Sequence, residues 1–182
     1  MCMQKFEIIN GVYVGPEIWI GDLDMGEYKD TLVSLGSLTE VKGSLRLYGC
    51  TNLVYLGSLT KVGRWANFGG CTSLTSLGSL RGVGYRFDLY GCTNLTSLGS
   101  LEEVGGNVFL DGCTSLTSLG SLKEVRYGLF LGDGNIPLQD LQEKVLYYSS
   151  LPLHEALNAL HTEEVQKVPL YKNILLQTLQ GG

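Results

Sequence analysis

Leu45-Arg46-Leu47-Tyr48-Gly49-Cys50-Thr51-Asn52-Leu53, followed by Leu56 and Leu59, is the stretch that decides how this 182-residue chain folds. Its frame returns every 21 residues: Cys50, Cys71, Cys92 and Cys113 keep that step, and so do Val41, Val62, Val83, Val104 and Val125. The tetrapeptide Leu-Gly-Ser-Leu begins at Leu35, Leu56, Leu77, Leu98 and Leu119. Five copies in register, from Lys29 to Asp133, make a repeat architecture the first expectation.

Within each copy one short stretch alternates apolar and variable residues, as in Leu45/Leu47, Ala66/Phe68, Phe87/Leu89, Val108/Leu110 and Leu129/Leu131. A period of two marks a strand with one buried face. The leucines that follow at three-residue spacing, such as Leu53, Leu56 and Leu59, turn inward as the chain coils back. A single coil has no way to bury its own leucines, so coils stack and share a core. Gly57 and its equivalents fall where a tight turn calls for a positive φ. The short period leaves no room for a full helix on the return side, where turns or short 3₁₀ pieces are expected.

The pattern L-x-L-x-x-C-x-x-L, repeated five times over residues 29–133, resembles the leucine-rich repeat signature, and its spacing is similar to bacterial and phage-encoded leucine-rich proteins and to the receptor L-domain family. The resemblance implies a leucine-rich-repeat solenoid, a stack of parallel β-strands with turn or 3₁₀ return segments. It also implies that the cysteine column is inward-facing and structural. A straight ladder of single cysteines does not converge on a tetrahedral metal.

Both ends of such a stack need covering. Residues 1–28 read as an N-terminal β cap, with Val12-Tyr13-Val14 and Glu17-Ile18-Trp19-Ile20 as strands between glycine turns. Residues 29–133 are the repeats. Beyond Gly132-Asp133-Gly134 helical spacing takes over (Leu138, Leu141, Val145, Leu146, then Leu153, Leu157, Leu160), so residues 134–182 read as a small α-helical C-terminal cap. Its apolar stripe is a possible seat for a homodimer.

Composition narrows the function. The formal charge of −5 divides into −4 over residues 1–43, +1 over 44–133 and −2 over 134–182. No segment carries the dense basic stripe that nucleic acid demands, so none is expected as a partner. No leader and no run of 18 apolar residues is visible, so the expectation is a cytoplasmic protein with no membrane span and with reduced thiols. His154 and His161 lie seven residues apart, not the four of a zinc-protease motif, and no metal or other cofactor is expected. The five Gly-Ser pairs are identical turns, and no nucleophile–base pair can be named, so no enzyme is expected.

What varies from copy to copy is the outer side of the alternating strand, while the core positions barely change. Arg46 and Tyr48, then Trp65 and Asn67, then Arg86, Asp88 and Tyr90, then Phe109 and Asp111, then Phe130 occupy it, with Ser44 at its margin. Trp, Tyr, Phe and Arg are enriched at binding hot spots. An exposed ribbon of them marks an interaction site, unless they stabilise cross-strand neighbours or lie beneath the C-terminal segment. The expectation is a non-catalytic module that binds a protein partner through this face. Alternatives are a nucleotide-like small ligand, or, if the chain is phage-encoded, stoichiometric inhibition of a bacterial defence enzyme.

Overall fold

The structure is a computed structural model that describes residues 4–132. Each 21-residue copy makes one turn of a parallel β-solenoid, and successive turns pair in register. Strands β1 (Glu7–Ile9) and β2 (Val12–Val14) form an antiparallel hairpin. After it each turn contributes two strands of two residues: β3 (Ile18–Trp19) and β4 (Leu23–Asp24), β5 (Glu40–Val41) and β6 (Leu45–Arg46), β7 (Lys61–Val62) and β8 (Ala66–Asn67). The pattern continues through β9 (Gly82–Val83), β10 (Phe87–Asp88), β11 (Glu103–Val104), β12 (Val108–Phe109), β13 (Glu124–Val125) and β14 (Leu129–Phe130).

The odd strands from β3 to β13 make one six-stranded parallel sheet, and the even strands from β4 to β14 make a second. A third side is held by single bridges, Val12 to Ser34, Ser34 to Tyr55, Ser76 to Ser97 and Ser97 to Ser118. This corrects the expectation of one strand face backed by turns or 3₁₀ pieces. The return path carries its own sheet, and the 3₁₀ turn at Gly26–Tyr28 precedes the repeats. The reason is backbone accounting. A 21-residue turn leaves its N–H and C=O groups facing the next turn on every side, and pairing satisfies them. Thus Lys42 N–H donates to the Trp19 carbonyl, and Arg81 N–H to that of Thr60, both at 2.8 Å.

The core lies between the sheets. Leu53, Leu56 and Leu59, with their equivalents in the other turns, are buried, as are the strand residues Leu45, Ala66, Phe87 and Val108 and, just past β8, Phe68. Each fully buried leucine contributes about 1.5–3 kcal/mol by leaving water. Gly57 has φ of 58°, and Gly36, Gly78, Gly99 and Gly120 match it within a few degrees, which supplies the left-handed turn expected of that column.

The cysteines stand in one column. Cys50, Cys71, Cys92 and Cys113 are buried, free thiols. The Cys71 thiol donates to the Leu47 carbonyl at 3.2 Å, Cys92 to Phe68 at 3.1 Å and Cys113 to Leu89 at 3.1 Å, each reaching the turn before its own. Burial pushes the Cys50 and Cys113 thiols up to about 11 and the Cys92 thiol up to about 12, and raises Cys71 as well. These are structural groups that tie turn to turn.

Within the segment read as an N-terminal cap, β3 and β4 supply the first strand of both sheets, while the hairpin lies against the third side. The outer edge of β3 is closed by a side chain. Gln4 Nε2 donates to the Ile18 carbonyl at 2.9 Å, and Gln4 Oε1 accepts the Ile20 N–H at 2.6 Å, so one amide stands in for a neighbouring strand. Phe6 anchors this segment against Tyr13, Trp19 and Tyr28, with ring centroids 5.5–5.6 Å apart. The expected C-terminal helical cap, its dimer stripe, and His154 and His161 lie outside the described residues.

Candidate functional site: the outer face of the second sheet

The second sheet positions the candidate residues by register alone. Asp24, Arg46, Asn67, Asp88, Phe109 and Phe130 pair one to the next as Cα partners, so they form a single file along the stack. Alternation sends their buried neighbours inward and these side chains out. Ladder bonds extend past the strands: Leu47 N–H donates to the Asn67 carbonyl, and Gly49 N–H to that of Gly69. Tyr48, Gly69, Tyr90 and Asp111 therefore make a second file, and Trp65, Arg86 and Asn107 a third on the other flank.

Tyr48, Trp65 and Tyr90 are 66%, 52% and 61% exposed, large values for rings on a sheet that buries its other face. Trp65 stacks on Tyr85, with centroids 6.3 Å apart and planes at 22°. Phe109 and Phe130 are half-buried and not the open rings expected. They stack on each other at 4.7 Å with planes 4° apart, and the Arg86 guanidinium lies over Phe109 at 4.2 Å. Arg86 also pairs with Asp88 at 2.9 Å, so a cation, a carboxylate and two rings form one connected cluster. Arg46 reaches Asp24 at 3.9 Å.

Two local bonds fix the polar members. Asn67 Oδ1 accepts the Gly69 N–H, and Asp88 Oδ1 accepts the Tyr90 N–H, which holds each side chain down along its own strand. Asn107 Oδ1 is buried with no hydrogen-bond partner. Asp111 is partly exposed at the far margin. Ser44 departs from the expected exposed set. It is 6% exposed, and its N–H donates to Asp22 Oδ1 at 2.7 Å, a bond that holds the Asp22 carboxyl below its usual range.

All ten residues singled out in the sequence thus lie on one face. Missed were Tyr85 and Tyr127, 49% and 63% exposed. They share a file with Gly43, Arg64 and Gly106 that reads in sequence as a turn preceding the strand. Their ring chemistry at a fixed repeat position was the available signal.

Two concavities lie elsewhere. One, about 310 Å³, sits on the first sheet over Gly82, Gly84 and Gly105, between Lys61, Glu103, Glu124 and Arg126. The other, about 420 Å³, is lined by Gln4, Phe6, Val14 and Trp19. Among the described residues no group of three or more His, Cys, Asp or Glu is placed to hold a metal ion, and no helix is long and apolar enough to cross a membrane.

Fold and site together define a parallel β-solenoid of 21-residue turns with an aromatic and ionic outer face. No family model, curated protein or solved structure matches the chain.

Proposed function

We propose that this chain is a leucine-rich-repeat module that binds a protein partner, without catalysis, through the outer face of its second sheet. One observation carries the reading: Tyr48, Trp65 and Tyr90 stand more than half exposed beside a pinned Arg86–Asp88–Phe109–Phe130 cluster. Exposed Tyr and Trp bring large contact area, and an arginine already held in place loses little freedom on binding. The hydrogen-bonded turns beneath give that face a fixed shape before any partner arrives. A bacterial cytosol is the setting in which we place it.

The test compares three baits in affinity capture: the native chain, Trp65→Ala/Phe109→Ala on the second sheet, and Lys61→Ala/Glu124→Ala on the first. The reading expects the same specific partner with the native and first-sheet baits and its loss with the second-sheet variant, which melts a few degrees lower because Phe109 leaves its stack but stays fully folded at the capture temperature by circular dichroism. Recovery of that partner by all three baits would place the contact elsewhere.

A further inference from the structure

The outer face of the first sheet complements itself in both charge and shape. Along one file Ile18, Glu40, Lys61, Gly82, Glu103 and Glu124 are Cα partners in succession. Two residues on, and so on the same face, a second file holds Ile20, Lys42, Gly63, Gly84, Gly105 and Arg126. Ladder bonds keep it in step, as where Lys42 N–H donates to the Trp19 carbonyl and Gly84 N–H to that of Val62. A second copy, turned through half a revolution about a line parallel to the stack and midway between the files, sets each turn against the same turn and each file against the other.

Under that operation every turn meets a suitable counterpart. Ile18, 45% exposed, faces Ile20 of the second copy, 63% exposed, and the reverse contact repeats it. Glu40 faces Lys42, and because these two pair within one chain at 2.7 Å, the four groups form a square of alternating sign. Lys61 stands over Gly63, Gly82 over Gly84 and Glu103 over Gly105, so glycine receives whatever the middle of the face presents. Glu124 faces Arg126. Neither of these two, nor Glu103, makes an ion pair among the described residues. The second copy's Glu103, seated over Gly105, lands about 4.8 Å along the file from Arg126 and adds a further opposite-charge contact.

Gly82 is an independent sign. Glu40, Lys61, Glu103 and Glu124 fill its position in the other repeats, and the fold does not require a glycine there. Its φ lies outside the left-handed region, and a Cβ would meet nothing nearer than the Glu103 carbonyl at 4.0 Å. A glycine inside a strand weakens it and marks a place where another backbone comes close. The concavity of about 310 Å³ over Gly82, Gly84 and Gly105 is the space it leaves. We propose that the first sheet seats a second copy of this chain, two solenoids lying side by side with Gly82 and Gly84 at the closest approach.

The charges select this arrangement over its neighbours. Reversing one stack sets Glu40 against Glu103 and puts the isoleucines against Glu124 and Arg126. A slip of one turn sets Lys42 against Lys61 and again opposes the isoleucines with charge. Like charges placed together count against a complex. Six strands span about 24 Å and five residues across them about 13 Å, a footprint below the ~800 Å² per partner of a standard interface. The dimer is therefore weak and reversible. It leaves both second sheets open, and a chain kept monomeric by a first-sheet substitution still presents that face.

Sedimentation equilibrium of the full chain from about 5 to 500 µM tests the dimer. A reversible monomer–dimer equilibrium is expected. Gly82→Arg fills the hole at a position where other repeats carry Lys or Glu, so it should weaken association at least about tenfold and melt no lower than the native chain. Glu124→Arg and Arg126→Glu should each weaken association. An equimolar mixture of those two variants should restore it, because each 124–126 contact between unlike copies then joins one arginine to one glutamate. A native chain that stays monomeric throughout the range overturns the inference. So does association unchanged by Gly82→Arg, or a mixture that associates no more tightly than either variant alone.

Discussion

Ala66 is the small member of a core file in which Leu45, Phe87, Val108 and Leu129 stand in the other repeats. It pairs with Leu45 in the turn before and Phe87 in the turn after, and all three are fully buried. Phe87 is its register partner in the next turn and meets Phe68 edge to face at 5.2 Å and 86°, so a leucine at 66 would compete with these rings for volume. Restoring the leucine should overpack the site and cost about 1–3 kcal/mol. Phe87→Ala should cost about 3–5 kcal/mol, of which about 0.5–1.5 kcal/mol is the lost ring pair. Combined, the new leucine grows into the space the phenylalanine vacates. The double variant should therefore lose at least about 1 kcal/mol less than the two single losses together, within the range of couplings between touching residues. Urea unfolding followed by circular dichroism on the four proteins measures this cycle. Additivity within about 0.5 kcal/mol would mean that 66 and 87 share no volume, and the stacking of these turns would be wrong.

Thiol burial predicts a sign for pH. A thiol whose folded value is raised favours the neutral form, so its contribution is complete below the unfolded value, about 8.5, and is lost as pH climbs towards the folded value. With Cys50 and Cys113 near 11, urea midpoints should hold to about pH 8.5 and fall steadily above it, and Cys→Ala substitutions should flatten that fall. Two glycines on the first sheet should behave oppositely. A Cβ at Gly84 would run into the Gly63 carbonyl, so Gly84→Ala should cost about 1–3 kcal/mol in the same assay. At Gly82 the nearest atom would be 4.0 Å away, so Gly82→Ala should be neutral or stabilise by up to about 1 kcal/mol.

The repeat, the cysteine column, the buried leucines and the Gly57 turn were legible because a strict period forces each position to one environment. The return-side sheet was not legible. Each of its strands in the repeats buries one residue, Val41 or an equivalent, with glycine, arginine or tyrosine two positions on where Leu45 has Leu47, so no apolar alternation marks it and those valines read as isolated apolar residues. The first turn was hidden by one residue: Leu23 pairs with Leu45 and Trp19 with Val41, a step of 22 against 21 thereafter. On the candidate face, register gave the outward direction of all ten residues. It did not give exposure, because Phe109 and Phe130 cover each other and take Arg86 as a lid. Those contacts depend on rotamers, which a period does not specify.

Register from turn to turn is the claim on which fold, binding face and dimer all depend, and a distance across several turns tests it most directly. Nitroxide labels at Asp24→Cys and Phe109→Cys, in a Cys2→Ser background that leaves the four buried thiols unreactive, sit four strand steps apart in the second sheet. Pulsed electron–electron double resonance on labelled chain diluted in unlabelled chain should give a narrow distribution centred near 20 Å, the length of four strand spacings with a small allowance for the labels. A broad distribution, or a mean beyond about 30 Å, would contradict stacked turns in register and the binding face built on them.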